Sequence, residues 1–174
     1  PQDALSAWTL LDSVQPTGLT QLVVDWASIW PQLGAIAKLA PLAAVQVLER
    51  DALKQLGTVI APLGEAHDGD KALEVRIQYE DGRVVETDIL AGALGHFPLP
   101  SGEQATIEVR PNRHFDIGLG RKGQGGRATV HGGTLGILID ARGRPLNVPQ
   151  DARVRRFKMQ QWFDSLIDDA GRPI

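Results

Sequence analysis

Leu73-Glu74-Val75-Arg76-Ile77-Gln78-Tyr79-Glu80 decides how this chain is read. Four apolar residues alternate strictly with four polar ones. A period of two puts the two sets on opposite faces of an extended backbone, so the stretch predicts a β-strand with one buried and one solvated side. The Asp81-Gly82 that follows marks a turn. A two-residue turn there would set Ile77 opposite Glu86 and Val75 opposite Asp88, apolar against charged. A three-residue loop instead matches Tyr79 with Val85, Ile77 with Thr87 and Val75 with Ile89, and is the expected hairpin.

Further along, Ala105, Ile107 and Val109 alternate with Thr106, Glu108 and Arg110 in the same way, between Pro100-Ser101-Gly102 and Pro111, boundaries that suit an edge strand. Thr134 to Ile139 is apolar on both faces and predicts a central strand, closed by an Asp140-Ala-Arg-Gly-Arg-Pro145 loop. Asp151 to Ile167 predicts a helix with Val154, Phe157, Trp162, Leu166 and Ile167 on one side and Arg153, Arg155, Arg156 and Lys158 on the other. That helix is expected to pack back onto the β part.

Toward the N-terminus the periodicity becomes helical. Ala4, Leu5, Ala7, Trp8, Leu10 and Leu11 predict a helix over Asp3 to Val14, ended by Gln15-Pro16-Thr17-Gly18. Leu19 to Val24 predicts a short buried strand. Asp25 after it reads as a cap for the next helix, or as a ligand-contacting group at a strand end. Trp26 to Leu39, around Pro31, and Pro41 to Leu56 predict two more helices, the second stopped by Gly57. From Gly57 onward Gly, Val, Ile and Thr dominate. The expectation is an α+β fold: a mixed α/β segment over 1–56, an antiparallel β-rich domain over 57–146 that is a barrel or a sandwich, and a C-terminal helical segment over 147–174.

Composition narrows the function. The chain has 174 residues, 43% hydrophobic and 22% charged, enough for a real core, and no run nears the roughly 20 apolar residues a membrane span requires. The absence of cysteine excludes disulfides, thiol nucleophiles, cysteine-ligated zinc and iron–sulfur clusters, and fits a cytoplasmic protein. A net charge of −3 supplies no electrostatic drive toward nucleic acid. Starting at Pro1 without Met or leader, the chain is expected to be a processed product or an internal piece.

Two stretches invite a functional reading. Gly118-Leu-Gly-Arg-Lys-Gly-Gln-Gly-Gly-Arg127 combines glycines with Arg121, Lys122 and Arg127. Backbone amides at Gly123, Gly125 and Gly126 could meet a phosphate or carboxylate while the side chains add charge, or the segment is a loop joining two strands. It lacks the Gly-Lys-Ser/Thr ending of a P-loop. Asp140, Arg142 and Arg144 predict an ionic network or a hold on an anionic ligand, since guanidinium and carboxylate pair bidentately. His67, His96, His114 and His131 show no metal-ligand spacing, so no metal is expected. His114 with Asp116, or His131 with Ser101, has no nucleophile motif around it, and no catalytic residue is assigned. Trp8, Trp26, Trp30 and Trp162 are expected as core or interface anchors.

Pro41 to Gly64, Gly132 to Leu146 and Gln15-Pro-Thr-Gly18 together resemble the C-terminal part of the glutamate mutase MutL-type family. The family is actin-like and related to hydantoinase and acetone carboxylase subunits. The resemblance implies an accessory protein of cobalamin-dependent mutases, using ATP in the full-length family member. It implies that 1–56 is the tail of an actin-like subdomain. No Asp-x-Gly-x-x-x-Thr phosphate loop occurs here, so no cofactor is expected in this piece. The leading expectation is a non-catalytic module for protein contact, with the rest of its own chain or a cobalamin-dependent mutase as partner. An anion- or nucleotide-binding β-domain using the 118–127 loop, and a hydrolase completed by an N-terminal region, are the alternatives.

Overall fold

The computed structural model describes residues 2–64, 67–146 and 148–167. In chain order the elements are helix α1 (Gln2–Ser13), strand β1 (Gly18–Asp25), helices α2 (Trp30–Ile36) and α3 (Pro41–Val47), a π-helical turn (Leu48–Ala52), strands β2 (Leu53–Ala61), β3 (Leu63–Gly64), β4 (Lys71–Tyr79), β5 (Val84–Leu90), β6 (Leu94–Phe97), β7 (Gln104–Pro111), β8 (Phe115–Asp116), β9 (Gly126–His131) and β10 (Gly136–Asp140), and helix α4 (Ala152–Asp164). This is an α+β architecture with a β-rich body. Two four-stranded sheets form it, in the orders β1-β2-β10-β6 and β5-β4-β7-β9, with a small β3-β8 ladder beside them.

The alternation in β4 does what its period requires. Leu73, Val75, Ile77 and Tyr79 are buried while Glu74, Arg76 and Gln78 are exposed. Those inward residues, with Ile107 and Val109 of β7, meet Ile60, Ile137 and Ile139 of the first sheet in one core between the sheets. The other face of the first sheet carries a second core, where Leu22, Val59 and Leu138 pack against Ala4, Ala7 and Leu11 of α1 and against Trp162 and Leu166 at the end of the chain's last helix. β10 is thus buried on both faces, as its unbroken apolar run predicts. It pairs parallel with β2 and antiparallel with β6.

Several expectations change. The helix expected over Pro41 to Leu56 runs as α3 to Val47 and on through the π-helical turn to Ala52, and only Leu53 to Leu56 depart from it, extending as the start of β2. Gly57 therefore stops no helix. It lies within β2 at a φ of 148° and faces Gly136 across the parallel pair, where a Cβ would fall 2.0 Å from the Gly136 carbonyl oxygen. The change of texture at Gly57 falls inside one strand, and the first sheet draws strands from both sides of it. The helix expected over Trp26 to Leu39 contracts to Trp30–Ile36, starting at Pro31 in its first turn. β1 is a sheet edge with only Leu22 buried, in place of a buried strand. The strand around Ile107 is interior, between β4 and β9, and Pro111 is compatible with this because it stands at the last position, where its missing N–H interrupts no central ladder bond.

The hairpin has its three-residue loop, but one step earlier. Ile77 pairs with Val85, Val75 with Thr87 and Leu73 with Ile89, a shift of two residues that preserves the faces. Gly82 decides the register. At a φ of 86° it occupies the left-handed last position of the loop Glu80-Asp81-Gly82, and the Tyr79 amide donates to the Arg83 carbonyl at 2.9 Å. In α4 Arg153, Arg155 and Arg156 are exposed as expected, but Val154 and Phe157 are exposed too, and contact with the body is made by Trp162, Phe163 and Leu166 and by the half-buried Lys158, which pairs with Asp68. Residues 147 and 168–174 of the C-terminal segment lie outside the described residues.

Candidate functional site

The loop after β10 is an ionic knot. Arg142 donates through Nε and Nη2 to the two Asp140 oxygens at 2.9 and 2.8 Å, and Arg144 Nη2 reaches Asp140 Oδ2 at 2.8 Å. Arg142 Nη1 lies 2.8 Å from Asp12 Oδ1 on α1. The guanidinium is also flanked by Trp8 and Trp162, with ring centroids 4.9 and 5.2 Å away. Asp12, Asp140, Arg142 and Arg144 sum to zero charge. Burial works against the Asp140 carboxylate, and the two arginines outweigh it and hold its pKa below the ordinary value. The network joins α1, α4 and the first sheet, with Asp140, Arg142 and Arg144 buried and Asp12 at its partly exposed rim.

Beyond Asp140, Arg144 Nε donates to the Pro16 carbonyl at 2.8 Å, and the Leu146 amide donates to Gln15 Oε1 at 2.8 Å. The segments 15–18, 53–61 and 132–146 therefore meet in one place. Their glycines serve close backbone approach: a Cβ on Gly133 would lie 2.4 Å from the Leu56 carbonyl carbon, and one on Gly132 only 1.9 Å from the Pro100 oxygen.

The 118–127 loop is tied to itself and to β8 just before it. Gly123 N donates to the Phe115 carbonyl and Gln124 N to the Arg121 carbonyl, both at 2.8 Å, and Gly118 N donates to Asp116 Oδ1 at 2.8 Å. Gly126 is in β9, paired with Val109, and Gly125 packs on the Val109 carbonyl. Arg121 and Lys122 stand exposed at the loop tip. Arg127 instead lies on the outer sheet face, opposite Glu108, lining one shallow depression with Arg76, Gln78 and Thr106 and a second with Arg110, Gly123, Gly125 and Gly126. Neither depression includes Arg121 or Lys122. Across that face Glu86, Arg76, Glu108 and Arg127 form a row of alternating charge.

The histidines are separate. His114 Nε2 accepts from Arg113 Nε at 3.1 Å, and Asp116 is engaged with Gly118. The His131 backbone is held by Thr58 Oγ1. Among the described residues no group of three or more His, Asp or Glu side chains is arranged to hold a metal. His96 bonds the Leu135 carbonyl through Nε2, and burial pushes its pKa down. Because the folded value lies below the unfolded one, His96 contributes stability above about pH 6.5 that is lost as pH falls toward the folded value. Thermal unfolding between pH 7.5 and 5.5 is expected to show this loss in the native chain and a weaker one in His96→Gln.

The most unusual surface is the excursion between β1 and β2. Asp25 starts it by accepting from Ile29 N and Trp30 N at 3.1 and 3.0 Å; it holds the entry to α2 from four residues upstream, while the N-cap position itself is Ile29. Trp26 Nε1 closes its base on the Asp51 carbonyl at 3.0 Å. Between these points α2 and α3 form a helical pair with a groove lined by Trp30, Leu33, Ala37, Ala44, Val45 and Leu48. Only Leu33, Ala44 and Ala52 are buried; Leu39 is 90% exposed, Leu42 72%, Trp26 66% and Trp30 50%.

Helical periodicity hides this surface, because the same spacing predicts a buried face. Charge would have exposed it: from Ser13 to Leu48 the only charged residues are Asp25 and Lys38, in a chain that is 22% charged. No protein-family model, no curated protein and no solved structure matches this chain. No helix among the described residues is long and apolar enough to cross a membrane.

Proposed function

We propose that the chain is a non-catalytic protein-contact module and that the α2–α3 excursion is the surface it uses. The observation that carries the reading is the group of exposed large apolar side chains, Trp26, Trp30, Ile36, Leu39, Leu42 and Val45, on a tract almost free of charge. Monomeric surfaces seldom gather apolar residues in one patch, and the cores of interfaces are depleted in charge and enriched in Trp. Covering that surface returns about 25 cal/mol for each Å² removed from water. The resemblance to MutL-type proteins supplies the partner class: a cobalamin-dependent mutase, or the remainder of an actin-like chain in which ATP would be bound. A cytoplasmic location is proposed with it.

The test is a titration of a purified cobalamin-dependent mutase with this chain and with Leu42→Glu/Val45→Glu. Both side chains are exposed, at 72% and 48%, so the fold should persist. Binding is expected to weaken by at least about tenfold, or about 1.4 kcal/mol. Unchanged affinity in that variant, with loss on replacing Arg121, Lys122 and Arg127, would move the site to the Gly-rich loop.

A further inference from the structure

The neutral tract begins before the excursion, in β1. Among the described residues this strand hydrogen-bonds to β2 alone, leaving the backbone groups of its other side without a strand partner. Natural edge strands are protected by inward charges, prolines, bulges in the edge strand, short length or a covering element. β1 has eight residues with no proline, and no charge before Asp25, which is occupied with Ile29 and Trp30. The one irregularity of its pairing is a bulge opposite Leu22 and Val23, whose extra residue, Leu56, belongs to β2 and leaves β1 without an insertion. The opposite edge of the other sheet differs: β5 is charged along its outer face by Glu86 and Asp88.

We propose that β1 pairs antiparallel with β1 of a second copy of this chain, joining the two first sheets into one continuous sheet across a twofold axis. Self-pairing needs a strand that does not repel itself, and Leu19 to Val24 sets neutral residues against neutral residues in any antiparallel register. Thr20 and Leu22 face the second core in both copies, and Leu19 and Gln21 face the other way, so the sides of the joined sheet agree. The excursion leaving the end of one β1 then lies beside the start of the other, where Val14 and Leu19 are exposed at 66% and 37%. A charged extended peptide is disfavoured at this edge because no side chain along it would answer the charge.

The test is molar mass by light scattering up to about 1 mM chain, with amide hydrogen exchange over 19–24 at low and high concentration. The native chain is expected to pass from monomer to dimer, with those amides slowing as it does. Leu19→Lys/Gln21→Lys places cations on exposed positions of the edge and should remain monomeric with unchanged thermal stability; Leu42→Glu/Val45→Glu should still dimerise. A native chain that stays monomeric across the range, or a dimer that survives the two lysines, would overturn the proposal. Neither result bears on mutase binding, which the excursion variant reads separately.

Discussion

Arg142→Ala is expected to cost about 3–5 kcal/mol of folding stability, a large share of the roughly 5–15 kcal/mol that holds a domain of this size. The side chain is fully buried and pairs with two carboxylates while filling the space between two indoles. Its removal leaves Asp12 without its cation and takes the bidentate partner from Asp140. Arg142→Lys keeps the charge and loses the fork, so it should fall between native and alanine. The dependence on pH has a definite sign. Asp140 carries a folded pKa below its ordinary 3.8, so its contribution is complete above that value and disappears as pH falls through the lower folded one. Denaturant unfolding should therefore show the full native advantage over Arg142→Ala at pH 6 and a shrinking one in the acid limb. A loss below about 1 kcal/mol at pH 6 would mean that the knot is replaceable packing.

Gly57→Ala is expected to cost more than about 4 kcal/mol, or to prevent folding outright. Two penalties coincide there. The backbone sits at a φ of 148°, and the added carbon would fall 2.0 Å from a backbone oxygen that has no rotamer in which to escape. Relief requires separating β2 from β10, the pair that ties the two parts of the chain into one sheet. Gly82→Ala supplies the contrast. Its φ of 86° is equally unsuited to alanine, but nothing lies within 4 Å of the new carbon. Only the conformational cost remains, about 1 kcal/mol. Equal costs in the two variants, read from denaturant midpoints, would show that close strand approach is not what places glycine at 57.

These two sites show which parts of the fold are legible in the sequence. Alternation carries β4 and β7, and the two-sided apolar run carries β10, because burial on a pleated strand writes itself directly into residue order. Asp140, Arg142 and Arg144 stand out as an ionic group for a similar reason, their spacing after a buried strand. Asp12, Trp8 and Trp162 do not, since they approach Arg142 from elements far away in the chain. Gly57 shows the opposite limit. A glycine after helical spacing reads as a stop, and only the parallel partner Gly136 shows that it sits inside a strand. The end of the helical segment is hidden in the sequence because Leu53 and Leu56 continue the helical period while serving as the first residues of β2. In the hairpin, parity fixed the faces, but the positive φ of Gly82 chose the register.

The candidate site follows the same division. Glycines and cations close together in sequence predicted the 118–127 loop, yet folding sends Arg127 onto the sheet face and leaves Arg121 and Lys122 at the tip. The excursion, by contrast, had no motif at all. Its signal was a missing quantity, charge, over a tract long enough to cross three elements.

Amide hydrogen exchange of the chain with and without a saturating cobalamin-dependent mutase tests the central claim most directly. The account predicts new protection concentrated between Trp26 and Leu48, with the 118–127 loop and the outer face of the β5-β4-β7-β9 sheet unchanged. Protection confined to that loop or sheet face, with Trp26 to Leu48 exchanging as before, would contradict it.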